Sequence, residues 1–391
     1  VGGFAYLFER FPAFSQTFCF REVREMHRQG VEFAVYSIRD PRGQPEQDFP
    51  DELRDLVRYL PESFSDRIRD DWWFRRRARK GQARMESGWG DDAEKRRIHE
   101  ALWLAGELRR QKISHVHAHF AGMAARTAFW LKRLAGVTYS FTAHADDVFC
   151  ERPDAHLADI VGGAEWIATE TEFSARFLRD RFPEAAGKVH RVYNGIELKP
   201  VRLDEGAGGE PPQILSIGRY VEKKGFADLI AACERLGGRE FECQIVGRGP
   251  LEGELRAQID AAGLGDRVRL TGPKTQGEID ELLARAVVFV LACRNAADGG
   301  SDNLPTVIME AMGAAVPVVS TRVAGVPEMV GDGVTGILVE AGDVAGIAAG
   351  LERLLGDREA GRRLGASGRA VCEGKFATVE TTGCLRRLLG A

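Results

Sequence analysis

The sequence has no run of eighteen apolar residues, so nothing in it reads as a helix that crosses a membrane. Its seven cysteines, Cys19, Cys150, Cys233, Cys243, Cys293, Cys372 and Cys384, include no CxxC pair. That scatter argues against a disulfide framework or a structural zinc site and for reduced, buried thiols in a cytoplasmic protein. Neither sign of charge is in excess: 54 Lys and Arg against 58 Asp and Glu leave a formal charge of -4, which gives no general attraction to nucleic acid. No DxD metal motif occurs either, since Asp91-Asp92 and Asp146-Asp147 are adjacent pairs without nucleotide-binding context. What is present, 391 residues of which 44% are hydrophobic and 29% charged, suits a folded chain of two ordinary domains.

Short apolar runs alternate with longer amphipathic stretches. In the first half, residues 31–38 read as a strand preceded by a helix through Glu22, Val23, Met26 and His27; residues 113–117, 139–142 and 166–169 are further strands. The stretch Asp204-Glu205-Gly206-Ala207-Gly208-Gly209-Glu210-Pro211-Pro212 then reads as an exposed linker. Beyond it, strands are expected at 214–217, 241–246, 268–270, 287–290 and 316–320, with helices at 226–236 and 251–262. The fold class is therefore α/β, with doubly wound parallel sheets whose ligands collect beyond the carboxyl ends of the strands.

Five pieces of the second half point to a nucleotide ligand. Gly218-Arg219-Tyr220-Val221-Glu222-Lys223-Lys224-Gly225 lies between a strand and a helix, where Arg219 can fork two donors onto a diphosphate and Lys224 can add a mobile charge. Gly247-Arg248-Gly249-Pro250 repeats the position but lacks the dinucleotide fingerprint. Asp298 to Pro305, with Asp302, Asn303, Leu304 and Pro305, runs into a helix from Thr306 to Ala314, and free N–H groups at a helix start favour phosphate. Glu310 is a carboxylate within an apolar helix, suited to accept from two ribose hydroxyls or from a neighbouring Arg. Thr321 to Glu328 can close the site from another side, and Asp332 to Val339 reads as a turn into a strand.

The first half offers polar strand ends. His115, His117 and His119 share one face if their strand extends that far, which invites a zinc reading, but no catalytic carboxylate pattern accompanies them and no metal site is expected. Glu170 and Asn194-Gly195 follow other strands and suit either a site or a cap and turn. Residues 67–80 set Trp72, Trp73 and Phe74 among basic side chains. They suit either an anionic membrane surface or a surface helix with its rings packed inward.

The order GR…KKG, GRGP, DNLPTVIMEAMGAAVPVVST, GVPE and GVTG resembles, as a set, the retaining glycosyltransferases of family 4. Phe11-Pro12-Ala13-Phe14-Ser15-Gln16-Thr17-Phe18 is similar to the FPxxSETF opening of exopolysaccharide and surface-polysaccharide members, with Gln16 in place of the usual acid. The resemblance implies the GT-B fold, two Rossmann-like domains facing across a cleft. An acceptor-binding domain over 1–200 and a nucleotide-sugar domain over 201–375 are expected, with a helix at 376–391 returning to the first.

It implies a hexosyltransferase that uses a UDP- or GDP-hexose, with no further cofactor and no metal. The acceptor would be a glycan, lipid-linked if the chain rests on the cytoplasmic face of an inner membrane. Carried over residue by residue, Arg219 and Lys224 would meet the diphosphate, and Gly218 and Gly247 would belong to the donor site. Asp302 to Thr306 would line the sugar, Glu310 would hold the ribose, and His144, in Thr142-Ala143-His144-Ala145-Asp146-Asp147, would contact the transferred hexose. Asp302 and Glu310 stand at the family's Glu-x7-Glu spacing, with the shorter acid first. A nucleotide-sugar epimerase and a non-catalytic sugar-nucleotide sensor are the alternatives.

Overall fold

Alternating apolar residues build two parallel sheets in the computed structural model. It describes residues 3–14, 16–43, 51–70, 72–82, 92–144, 147, 149, 156–201 and 211–391. The first sheet has the order β3-β2-β1-β4-β5-β6-β7, with β1 Phe4–Arg10, β2 Phe33–Arg39, β3 Val57–Tyr59, β4 His115–His119, β5 Thr138–Ala143, β6 Ile167–Thr169 and β7 Val189–Arg191. The second has the order β10-β9-β8-β11-β12-β13, with β8 Gln213–Ile217, β9 Glu242–Val246, β10 Val268–Leu270, β11 Val288–Leu291, β12 Val318–Thr321 and β13 Gly336–Val339. The chain divides into two compact units. One holds the described residues up to Val192 together with Thr382–Ala391; the other holds Tyr193–Thr381.

Both faces of the first sheet are buried, as the period of two along a strand requires when helices cover each side. In β1, Ala5 and Leu7 enter one core with Val116, Ala118 and Phe141, while Phe4, Tyr6 and Phe8 enter the other with Phe11, Phe20 and Val23. The second core also receives Leu385, from the closing helix Thr378–Leu389, whose Arg386 guanidinium donates to Gln29 Oε1 at 2.7 Å. The other unit has one continuous core, which includes Ile214, Phe289, Val318 and Ile347.

Several strands differ from expectation. The apolar run Phe4–Phe8 is the strand at which the first sheet reverses its order, and sequence reading passed over it. The strand expected at 113–117 lies at His115–His119, which brings His119 into the sheet. The one expected at 316–320 starts at Val318, because Pro317 has no N–H to donate to a ladder. Of the linker expected at 204–212, residues 204–210 lie outside the described residues, as do Ser15, Asp91, Asp146 and Cys150.

Candidate functional site

In the second unit the strand order reverses between β8 and β11, and the loops following these two strands meet. In doubly wound sheets such a reversal opens a crevice for ligands. Glu222 Oε2 accepts the Ala297 N–H at 3.0 Å, and the Arg294 N–H donates to Lys223 O at 3.1 Å. Gly225, at φ 64°, makes the closest approach: a Cβ there would lie 1.7 Å from Ala292 O.

Across this seam Lys224 Nζ lies 2.5 Å from Asp302 Oδ2, with side chains only 14% and 10% exposed. Cys293 Sγ donates to the same carboxylate oxygen at 3.8 Å. Burial alone disfavours the ammonium, but Asp302 outweighs it and the Lys224 pKa is raised. The two residues expected to serve different parts of a ligand are therefore paired with each other. An ammonium has three donors, so Lys224 can hold Asp302 and an anion together.

Asn303, Leu304 and Pro305 are buried and lead into the helix Thr306–Gly313, whose start no side chain caps. Glu310, one turn on, is half-buried on the face it shares with Thr306 and Val307. Arg219 is exposed beside Gly218. In the third loop, Gly247 has φ 147°, and a Cβ there would stand 1.9 Å from Gly218 O. Gly218 N–H donates to Val246 O at 2.9 Å and Tyr220 N–H to Arg248 O at 3.0 Å, so this glycine is required by loop-to-loop packing alone. Gly247→Ala should accordingly lower stability by about 1–3 kcal/mol, read as a lower urea midpoint at unchanged slope. The other pieces are tied into the frame: Arg322 Nη2 binds Asp332 Oδ2 at 2.7 Å, and Tyr193 Oη donates to Glu328 Oε2 at 3.0 Å.

The first unit gathers polar groups along β4 and β5 and at the carboxyl ends of β4, β5 and β6. In register, His115 faces Thr138, His117 faces Ser140 and His119 faces Thr142. His115 binds Thr138 Oγ1 at 2.9 Å and Ser140 Oγ at 2.8 Å; His117 binds Ser140 Oγ at 2.9 Å and Thr142 Oγ1 at 3.0 Å. Burial pushes the His115 pKa down to about 4 and that of His117 well below its usual value, so both rings are neutral at pH 7.

His119 departs from this ladder. Its Nε2 lies 3.2 Å from Glu22 Oε1, and its Nδ1 lies 3.3 Å from His144 Nε2 and 3.5 Å from Cys19 Sγ. His144 Nδ1 in turn lies 2.5 Å from Glu170 Oε1. Burial opposes the His144 imidazolium, yet Glu170, helped by Asp147 and Glu22, raises its pKa. Asp147 Oδ2 accepts the backbone N–H groups of Ala121 and His144 at 2.9 and 3.1 Å, and the Phe18 and Phe120 rings flank His144 at 4.8 and 4.4 Å between centroids.

Glu170 is not a helix cap: Thr171 takes that role over Glu172–Arg181, leaving the Glu170 carboxylate to the histidine. Cys19 and Glu22 belong to the helix Thr17–Arg28, and no sequence motif marked them. In the 11–18 segment, Phe11 stacks on Phe8 in the core while Phe18 reaches His144. The helix Trp72–Gln82 divides its rings: Phe74 is buried against Phe64, whereas Trp72 is 60% and Trp73 41% exposed, under the guanidinium groups of Arg76 and Arg77.

Two family models account for most of the chain, Glycosyltransferase Family 4 over residues 15–199 and Glycosyl transferases group 1 over residues 201–371. Amylovoran biosynthesis glycosyltransferase AmsK of Erwinia amylovora is 40% identical over 172 residues, 43% of this chain and 42% of that protein, so the match spans about two fifths of the relative's length. Lipopolysaccharide core biosynthesis glycosyltransferase LpsE of Rhizobium meliloti (strain 1021) is 32% identical over 266 residues, covering 68% of this chain and 70% of that one. Among solved structures, Anabaena Alr3699/HepE in complex with UDP superposes with a TM-score of 0.74 over 99% of both chains at 16% identity, a likeness of fold.

Proposed function

Because the chain belongs to glycosyltransferase family 4, of GT-B fold, we propose that it moves a hexose from a UDP- or GDP-sugar to a hydroxyl of a glycan acceptor in surface or exopolysaccharide synthesis. The observation that carries this reading is the Lys224–Asp302 pair at the strand-order reversal between β8 and β11, beside an uncapped helix start and the half-buried Glu310. A nucleoside diphosphate fits that set: Glu310 accepts from the ribose hydroxyls, while Arg219, Lys224 and the first N–H groups of Thr306–Gly313 meet the diphosphate.

In the reaction the bond between the anomeric carbon and the diphosphate oxygen breaks, and its electrons stay on the phosphate. Arg219, Lys224 and the helix start stabilise that growing charge. The acceptor oxygen bonds to the same face of the anomeric carbon, and its proton passes to the departing phosphate oxygen, so configuration is retained. Asp302 faces the hexose through whichever oxygen Lys224 leaves open. His144 is the first unit's group for the hexose; Glu170 holds its Nδ1, so Nε2, which faces His119 Nδ1 at 3.3 Å, is the nitrogen that would turn to the sugar. No step in this scheme needs a metal.

A lipid-linked acceptor is supported by the helix Trp72–Gln82, which leaves Trp72 and Trp73 exposed with Arg76 and Arg77 over their rings, as an interfacial segment does. Peripheral attachment through this helix is the form proposed; among the described residues no helix is long and apolar enough to cross a membrane. The test is a mass-spectrometric screen of UDP- and GDP-hexoses against purified protein, with and without a lipid-linked glycan extract. Release of nucleotide matched by a hexose mass in the lipid fraction is expected. Turnover of the donor sugar without acceptor would instead favour an epimerase, and donor binding without any release would favour a sensor.

A further inference from the structure

Three donor atoms of the first unit converge on one point. Cys19 Sγ lies 3.5 Å from His119 Nδ1, His119 Nδ1 lies 3.3 Å from His144 Nε2, and all three lie within 4.8 Å of one another. We propose that Cys19, His119 and His144 bind one soft divalent cation of the zinc class. Metal–nitrogen bonds of about 2.0–2.1 Å and a metal–sulfur bond of about 2.3 Å at tetrahedral angles place two nitrogens about 3.3–3.4 Å apart and nitrogen and sulfur about 3.5–3.6 Å apart. The two measured separations match that geometry. An N···N distance of 3.3 Å is also long for a hydrogen bond.

The outer partners give a second, independent argument. Each imidazole turns its other nitrogen to a carboxylate, His119 Nε2 to Glu22 Oε1 at 3.2 Å and His144 Nδ1 to Glu170 Oε1 at 2.5 Å. A carboxylate accepts, so each ring turns an N–H to its outer side. Unless a proton is held there, the inner nitrogens present lone pairs to each other, and a metal between them relieves that contact. Carboxylate–histidine–metal chains of this form orient ligands in zinc sites. His117 does not join, because Ser140 and Thr142 occupy both its nitrogens.

The donors are sheltered, Cys19 fully and His119 to 1% exposure, and Phe8 stacks on His119 at 4.9 Å. A thiolate with two imidazoles selects zinc over magnesium or calcium. Binding displaces the thiol proton of Cys19 and any proton held between the rings, and both go to solvent. The ion also occupies the His144 Nε2 assigned above to the hexose, so its occupancy inhibits transfer; that consequence alone rests on the proposed function.

The experiment is a Co2+ titration of the full chain without an affinity tag, followed by Zn2+ displacement. One equivalent of cobalt should produce a thiolate-to-cobalt band in the near ultraviolet and the intense visible bands of tetrahedral cobalt. Cys19→Ser should abolish the thiolate band and weaken binding about 100-fold or more, whereas Cys384→Ser should leave both intact. If circular dichroism shows Cys19→Ser unfolded, His119→Gln is read in its place and must weaken binding to the same degree. Absence of the thiolate band in the native chain, or its persistence in folded Cys19→Ser, overturns the site and leaves the proton as the bridging cation. Stoichiometric cobalt that does not inhibit transfer leaves the site standing and removes the hexose contact from His144.

Discussion

Lys224→Ala is expected to lower donor-dependent turnover by about 10²–10³-fold, the loss typical of removing one preorganised charge from a developing anion. It should also destabilise the second unit by about 3–5 kcal/mol, because the nearly buried Asp302 carboxylate loses its partner. The double variant Lys224→Ala, Asp302→Asn separates the two effects. Without a buried charge, most of the stability should return, while turnover stays low. Nucleotide release and urea unfolding read the two quantities apart. Wild-type turnover in Lys224→Ala would remove this residue from the chemistry.

The pH dependence of the pair follows its sign. A raised lysine pKa gives stability that is fully present below the unfolded value, near 10.5, and lost only as pH rises through the higher folded value. Between pH 6 and 9 the stabilisation from this lysine should therefore be constant, and a pH-dependent loss in that window must come from other groups.

Residue spacing carried the architecture well where a strand ended in glycine and a helix followed, as at Gly218 and Gly247, because turn chemistry and apolar runs are local signals. It also marked Lys224 as a candidate for a diphosphate, while only the family resemblance marked Asp302 as a candidate for the donor sugar. Their direct contact was not legible, since it depends on β8 and β11 lying side by side although β9 and β10 intervene in sequence. Gly247 also has a packing reason for its missing Cβ, the Gly218 carbonyl, which no local pattern announced.

The first unit hid more. Reading the histidine strand two residues early left His119 outside the sheet, and an apolar helical face gave no reason to single out Cys19 or Glu22. Glu170 suited a site or a cap equally, because it follows a strand and precedes a helix. Only the position of Thr171 one residue on frees its carboxylate for His144.

Glu170→Gln is expected to lower turnover about 10²-fold, with the change in kcat rather than in donor KM, because it acts on the state and orientation of His144 and not on the nucleotide. Burial opposes the charged ring, and the Glu170 carboxylate does most to restore it, with Asp147 and Glu22 behind it and His119 and Cys19 completing the surroundings. A raised histidine pKa gives stability that is fully present below the unfolded value near 6.5 and lost as pH rises through the folded one. Glu170→Gln should thus cost about 1.5–3 kcal/mol at pH 6, the range for a hydrogen bond to a charged group, and less at pH 9. Unfolding at both values in EDTA, which keeps metal from the rings, tests this. An equal loss at pH 6 and 9 would show that Glu170 packs against His144 without holding its proton. In His144→Gln the same Glu170 change should cost no further turnover, because a positioning residue has nothing to act on once the ring it orients is gone.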